Sequence, residues 1–147
     1  MLIVDDDSDT REMYREALRA YGFEPETASS GAEAMQAARA STPAVVITDL
    51  RLKGDVDGLA LCRSLRANSR TKDVRIIVLT GATFGGEREQ AERSGCDRFL
   101  VKPCLPDQLA SEIRRLTVEG VSPRTLGANL KPERVRGLPA RKDRRKV

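Results

Sequence analysis

The chain has no histidine and no tryptophan, and its 147 residues include only three cysteines, three phenylalanines and two tyrosines. Without histidine, Cys62, Cys96 and Cys104 cannot complete a zinc site, since they are odd in number and lack metal-ligand spacing. They are expected to be reduced structural thiols. With so few aromatics the core must be built from Leu, Ile, Val and Ala, which suits a small helix-covered sheet. No apolar run approaches the roughly 18 to 20 residues that span a bilayer. The N-terminal MLIVDDDSD also lacks the pattern of a cleavable secretory signal. A cytoplasmic protein without membrane contact is therefore expected. The length leaves room for one hydrophobic core and a short extension.

Net charge is small over most of the chain and concentrated in the rest. Residues 1–118 hold 17 Lys and Arg against 19 Asp and Glu, a net of −2, and residues 119–147 hold 9 against 3, a net of +6. The overall +4 is thus a property of the tail. That tail has several Pro and Gly, few large apolar residues and the cluster RKDRRK, a composition expected to be disordered in isolation. It is a solubilising extension, or a weak contact for nucleic acid or an acidic partner. Nucleic acid is not otherwise expected, because no recognition helix, zinc finger or aromatic stacking platform accompanies the basic cluster. The division is a globular domain over 1–118 and a basic tail over 119–147.

Four short runs of branched apolar residues mark buried strands: Leu2 to Val4, Ala44 to Thr48, Val74 to Leu79 and Phe99 to Val101. Their apolar residues are nearly continuous rather than alternating, as in a parallel sheet covered on both faces. A weaker strand fits Glu24 to Ala28, where Pro25 cannot donate a ladder hydrogen bond and so points to a sheet edge. Between the strands, apolar spacings of three and four predict helices. Their faces carry Met13, Ala17, Leu18 and Tyr21, then Ala34, Met35 and Ala38, then Leu61 and Leu65, and finally Leu109, Ile113 and Leu116. A fourth helix, near Gly86 to Arg93, is mostly polar. Asp9 followed by Glu12 suits the first helix start. Five strands alternating with five helices predict an α/β doubly wound parallel sheet with helices on both faces and right-handed crossovers. The edge strand favours the flavodoxin-like order 2-1-3-4-5, with ligands beyond the carboxyl ends of the strands.

Those ends carry Asp5, Asp6 and Asp7, then Asp49, Thr80 and Lys102. Asp7, like Asp9, suits a turn or helix cap. Asp5, Asp6 and Asp49 should converge if strands 1 and 3 are neighbours. Three carboxylates so placed repel one another unless a cation lies between them. All-oxygen donors in an open site suggest Mg²⁺ or Mn²⁺. With the point charge of Lys102 and the hydroxyl of Thr80, the set has what an acyl-phosphate site needs. Gly81 leaves room beside that hydroxyl.

The segments LIVDDD, VVITDL, VDG, IIVLTGA and FLVKP, taken in order and spacing, resemble the marks of response-regulator receiver domains over positions 1 to about 118. The resemblance implies Asp49 as phosphoacceptor, Asp5 and Asp6 as the acidic pair, and Thr80 as the switch hydroxyl. It also implies Lys102 as the phosphate-contacting lysine, Phe99 as the aromatic switch position and the Arg51 backbone carbonyl as a further metal ligand. A cis Lys102-Pro103 peptide is implied too. The loop LRLKGDVDG departs from the family in carrying Lys53 where proline is common, and Cys104 stands where an aromatic is frequent. The expected function is that of a single-domain response regulator in a phosphorelay, not an enzyme. It would accept a phosphoryl group from a histidine kinase or phosphotransfer protein and bind a downstream protein through its helix 4, strand 5 and helix 5 face. Arg51 and Ala82, near the acceptor and the threonine, should slow self-dephosphorylation, because neither orients a hydrolytic water as a carboxylate or amide would. A nucleic-acid adaptor acting through the tail is the competing class, with salt-sensitive binding that disappears with the tail. A phosphatase with an aspartyl nucleophile is excluded by Arg51, which stands where such enzymes need a second aspartate.

Overall fold

A computed structural model describes residues 1–81 and 85–118. The expectations for the basic tail and for Ala82 lie outside the described residues. Strands and helices alternate as β1 (Leu2–Val4), α1 (Ser8–Ala20), β2 (Glu26–Ala28), α2 (Gly31–Ser41), β3 (Val45–Thr48), α3 (Gly58–Ala67), β4 (Arg75–Thr80), α4 (Glu87–Arg93), β5 (Arg98–Val101) and α5 (Pro106–Val118). The five strands pair in parallel in the order β2-β1-β3-β4-β5. This is the α/β doubly wound, flavodoxin-like sheet that the sequence predicts.

The near-continuous apolar strands divide by their period of two into two cores. Leu2, Val4, Val46, Ile76, Val78 and Phe99 face α2, α3 and α4, meeting Ala34, Ala38, Leu61, Leu65 and Ala91. Ile3, Val45, Ile47, Ile77 and Leu79 face α1 and α5, meeting Tyr14, Leu18, Leu109, Ile113 and Leu116. The three inner strands β1, β3 and β4 show no alternation, because both of their faces are buried. Among the described residues no helix is long and apolar enough to cross a membrane.

Three expectations shift. Pro25 lies just before β2, not in it, and the ladder begins where the Glu26 amide donates to the Met1 carbonyl at 2.9 Å. The buried face of α1 is Tyr14 and Leu18, while Met13 and Tyr21 are 47% and 41% exposed. Tyr14 can be buried because its hydroxyl donates to the Cys104 carbonyl at 2.7 Å. The cap of α1 is Asp7, whose carboxylate accepts the Thr10 amide at 2.9 Å, and Asp9 sits in the first turn, where a negative charge suits the helix dipole. All three cysteines are free and buried, and burial pushes the Cys62 thiol up to about 12 and those of Cys96 and Cys104 above their ordinary value. Thiols so placed are inert.

Candidate functional site

Strand pairing continues one residue past several strand ends, which brings the polar residues together. The Asp49 amide donates to the Val4 carbonyl at 3.1 Å and the Lys102 amide to the Thr80 carbonyl at 2.8 Å. Asp5, Asp49, Thr80 and Lys102 thus share one edge of the sheet. The Lys102 ammonium lies 2.9 Å from Asp5 Oδ2 and 3.2 Å from Asp49 Oδ2. The other Asp49 oxygen, Oδ1, accepts the Thr80 hydroxyl at 2.9 Å and the Arg51 amide at 3.2 Å. Each oxygen of Asp49 is therefore gripped from a different strand or loop.

Burial lowers the pKa of Lys102, but its hydrogen bond to Asp5 and the charges of Asp49 and Asp5 more than offset that, leaving it above the ordinary lysine value. It is an ammonium at neutral pH. Asp5 is further fixed through Oδ1, which accepts the Asp7 amide at 2.9 Å, and through its carbonyl, which accepts Arg11 at 2.7 Å. Asp6 lies to one side, accepting the Lys53 amide at 2.9 Å. The Lys102-Pro103 peptide is cis.

Asp5 and Asp49 both touch one ammonium, so a single cation can bridge them. The expected three-carboxylate convergence is not formed: Asp6 stays on the Lys53 amide, and among the described residues no group of three or more His, Cys, Asp or Glu side chains makes a ready-made metal cage. Mg²⁺ needs none, since it keeps several waters and takes one or two carboxylates. The donor set fits that ion.

Phe99 is 5% exposed, and its ring lies in the core with the Arg88 guanidinium 5.1 Å from its centroid. The residue expected at the aromatic switch position is thus buried in this structure.

Two residues of the site have contacts that no stretch of sequence shows. Arg51 turns its guanidinium to Glu87, the first residue of α4, and to the Thr80 hydroxyl, 3.4 Å away. Gly58, part of the VDG segment, opens α3 directly beneath the acceptor loop. A Cβ there would stand 2.3 Å from the Asp49 carbonyl oxygen and 2.6 Å from Leu50 Cα. Both are backbone atoms and cannot swing aside. Gly58→Ala should therefore cost about 1–3 kcal/mol and displace the Asp49 backbone. A urea midpoint and a phosphorylation rate both unchanged from the native chain would show that the loop moves freely.

A family model described as the response regulator receiver domain matches residues 1–114. The chain belongs to this family. The receiver is 34% identical over 117 residues to the response regulator Rre1 of a Synechocystis species, a match covering 79% of this chain and 50% of that one. It is 36% identical over 114 residues to the DNA-binding response regulator MtrA of Mycobacterium tuberculosis, covering 78% of this chain and 48% of that one. The chain thus spans about half the length of these curated relatives. Among solved structures it resembles the chemotaxis protein CheY4 of Vibrio cholerae, with a TM-score of 0.72 and 31% identity over 78% of this chain and 94% of that one. A putative response regulator from Chloroflexus aurantiacus matches with a TM-score of 0.75 and 33% identity, covering 80% and 95%.

Proposed function

We propose that residues 1–118 form a phosphoryl-accepting switch that signals to partners in trans, with Asp49 as the acceptor and the basic residues 119–147 as an appended tail. One observation carries this reading: the Asp49 carboxylate is held between the Lys102 ammonium on one oxygen and the Thr80 hydroxyl and Arg51 amide on the other. In the proposed step an Asp49 oxygen bonds to phosphorus as the P–N bond of a phosphohistidine breaks. The electron pair stays on the imidazole nitrogen, which takes a proton from solvent. Lys102 and Thr80 then hold the phosphoryl oxygens. A divalent cation such as Mg²⁺, when bound, supplies positive charge between an anionic carboxylate and an anionic phosphoryl group. Asp5, Asp6, Asp49 and the Arg51 carbonyl would hold it.

The step is stoichiometric, with slow self-dephosphorylation, and the work is done by a cytoplasmic partner bound over α4, β5 and α5. Exposed Val101 and Leu105, at 46% and 59%, lie on or beside that face. The name MtrA carries DNA binding for chains about twice the matched length, and no DNA contact is proposed for residues 1–118.

Transfer from a labelled histidine kinase should proceed equally to the full chain and to a chain ending at residue 118, because every group named above lies within the first 118. Loss of transfer on truncation would make the tail part of the machinery.

A further inference from the structure

We propose that Arg51 is a phosphoryl-binding residue held in reserve by Glu87, so that one guanidinium is shared between helix α4 and the phosphoryl group on Asp49. The inference rests on the reading of Asp49 as acceptor and adds a residue pair to it. Arg51 is anchored beside the acceptor, its amide on Asp49 Oδ1 at 3.2 Å. Its guanidinium reaches the Thr80 hydroxyl at 3.4 Å, and that hydroxyl donates to the same Asp49 oxygen at 2.9 Å. A group bonded to Asp49 on this side therefore arrives within a hydrogen bond's reach of the guanidinium. The other arm pairs with Glu87, the first residue of α4.

The competition is unequal. A phosphoryl group brings a charge of about −1.5 to −2 and three strong acceptors, where Glu87 brings a single carboxylate. A guanidinium forks onto phosphate oxygens bidentately. The Arg51 side chain is 45% exposed, so it can turn without unpacking a core. At the other end, α4 is a helix that a lost tether would loosen. Gly86 caps it with no side-chain hydrogen bond and φ 91°, and its one buried residue is Ala91. The Arg51 to Glu87 pair is that tether.

The test uses acetyl phosphate with Mg²⁺ as the probe, where the P–O bond breaks and acetate leaves. Initial rates of adduct formation at sub-saturating donor are read by intact mass for the native chain, Glu87→Gln, Arg51→Gln and the double variant. Glu87→Gln should label faster by roughly two- to fivefold, the scale of a half-exposed ion pair. The double variant should label at the Arg51→Gln rate, since the shared guanidinium is the route from Glu87 to the acceptor. Arg51→Gln should label more slowly than the native chain, and Arg51→Lys should recover part of that loss as a point charge without the fork. Amide exchange over residues 87–93 should rise on phosphorylation in the native chain, start raised in Glu87→Gln, and not respond in Arg51→Gln. An equal gain from Glu87→Gln with and without Arg51, or an α4 response preserved in Arg51→Gln, overturns the shared guanidinium while leaving the acceptor assignment standing. A native chain that forms no adduct overturns the acceptor assignment and this inference with it.

Discussion

Asp49→Asn will take up no phosphoryl group from acetyl phosphate and Mg²⁺, while the native chain gains one. The nucleophile is a carboxylate oxygen, and an amide at the same place offers a neutral oxygen and an NH₂ that donates where Lys102 and Thr80 also donate. Folding should survive the change, because Lys102 keeps Asp5 at 2.9 Å and the β1 to β3 ladder does not use the side chain. Intact mass gives the first result and thermal unfolding the second. An adduct on the variant at the native level places the acceptor elsewhere. The same measurement in chelator should show little adduct on the native chain, since Asp5 and Asp49 would meet an anionic donor with Lys102 already shared between them. Asp6→Ala should raise the Mg²⁺ needed for half-maximal labelling more than Asp5→Ala. Asp5 is already engaged by Lys102 and the Asp7 amide, whereas Asp6 has the Lys53 amide. Equal labelling with and without chelator would remove the cation from the reaction.

How far the site was legible follows from how local each signal is. Asp5, Asp49, Thr80 and Lys102 each end an apolar run, so a short window of sequence finds the strand and its last residue together. Parallel pairing then brings the ends into register. Glu87 gives no such sign. It stands in EREQAER, whose charges suggest a solvated face, and its partner Arg51 is 36 residues away. Gly58 was visible as part of a motif, but its reason is steric and lies in the carbonyl of Asp49, nine residues back. The face of α1 is displaced by one residue because Met13, Ala17 and Tyr21 keep the same spacing of four as Tyr14 and Leu18, and the carbonyl that lets the Tyr14 hydroxyl be buried comes from 90 residues away. The helix faces built on aliphatic residues alone, Leu61 with Leu65 and Leu109 with Ile113, are buried as their spacing predicts.

Arg66 is the clearest case of a residue whose weight no window of sequence shows, and its replacement should have the largest effect on stability. From the last turn of α3 its guanidinium donates to the Gly95 carbonyl at 3.0 and 2.8 Å, to the Lys72 and Val74 carbonyls at 2.9 and 2.6 Å, and to Asp97 Oδ2 at 3.1 Å. One side chain thus ties α3, the approach to β4 and the turn before β5. The Asp97 side chain is fully buried, and the same Oδ2 accepts the Ile76 amide at 2.9 Å. Arg66→Ala takes the guanidinium from a buried carboxylate and from three carbonyls, a loss of about 3–5 kcal/mol from a total that for such domains is about 5–15 kcal/mol. Arg66→Lys should fall between, since an ammonium keeps the charge but cannot fork across Gly95 and Asp97 at once. Asp97→Asn should cost less than Arg66→Ala, because an amide oxygen can still accept the Ile76 amide. Urea unfolding followed by far-ultraviolet circular dichroism reads all three, with the lowest midpoint for Arg66→Ala and the slope unchanged. An Arg66→Ala midpoint equal to the native one would mean that water replaces the guanidinium at no cost. Because Ile76 and Asp97 lie at the entry ends of β4 and β5 and the phosphoryl site at the exit ends, the folded fraction of each variant should still label at Asp49. A loss of labelling larger than the loss of folded protein would instead tie this pair to the switch.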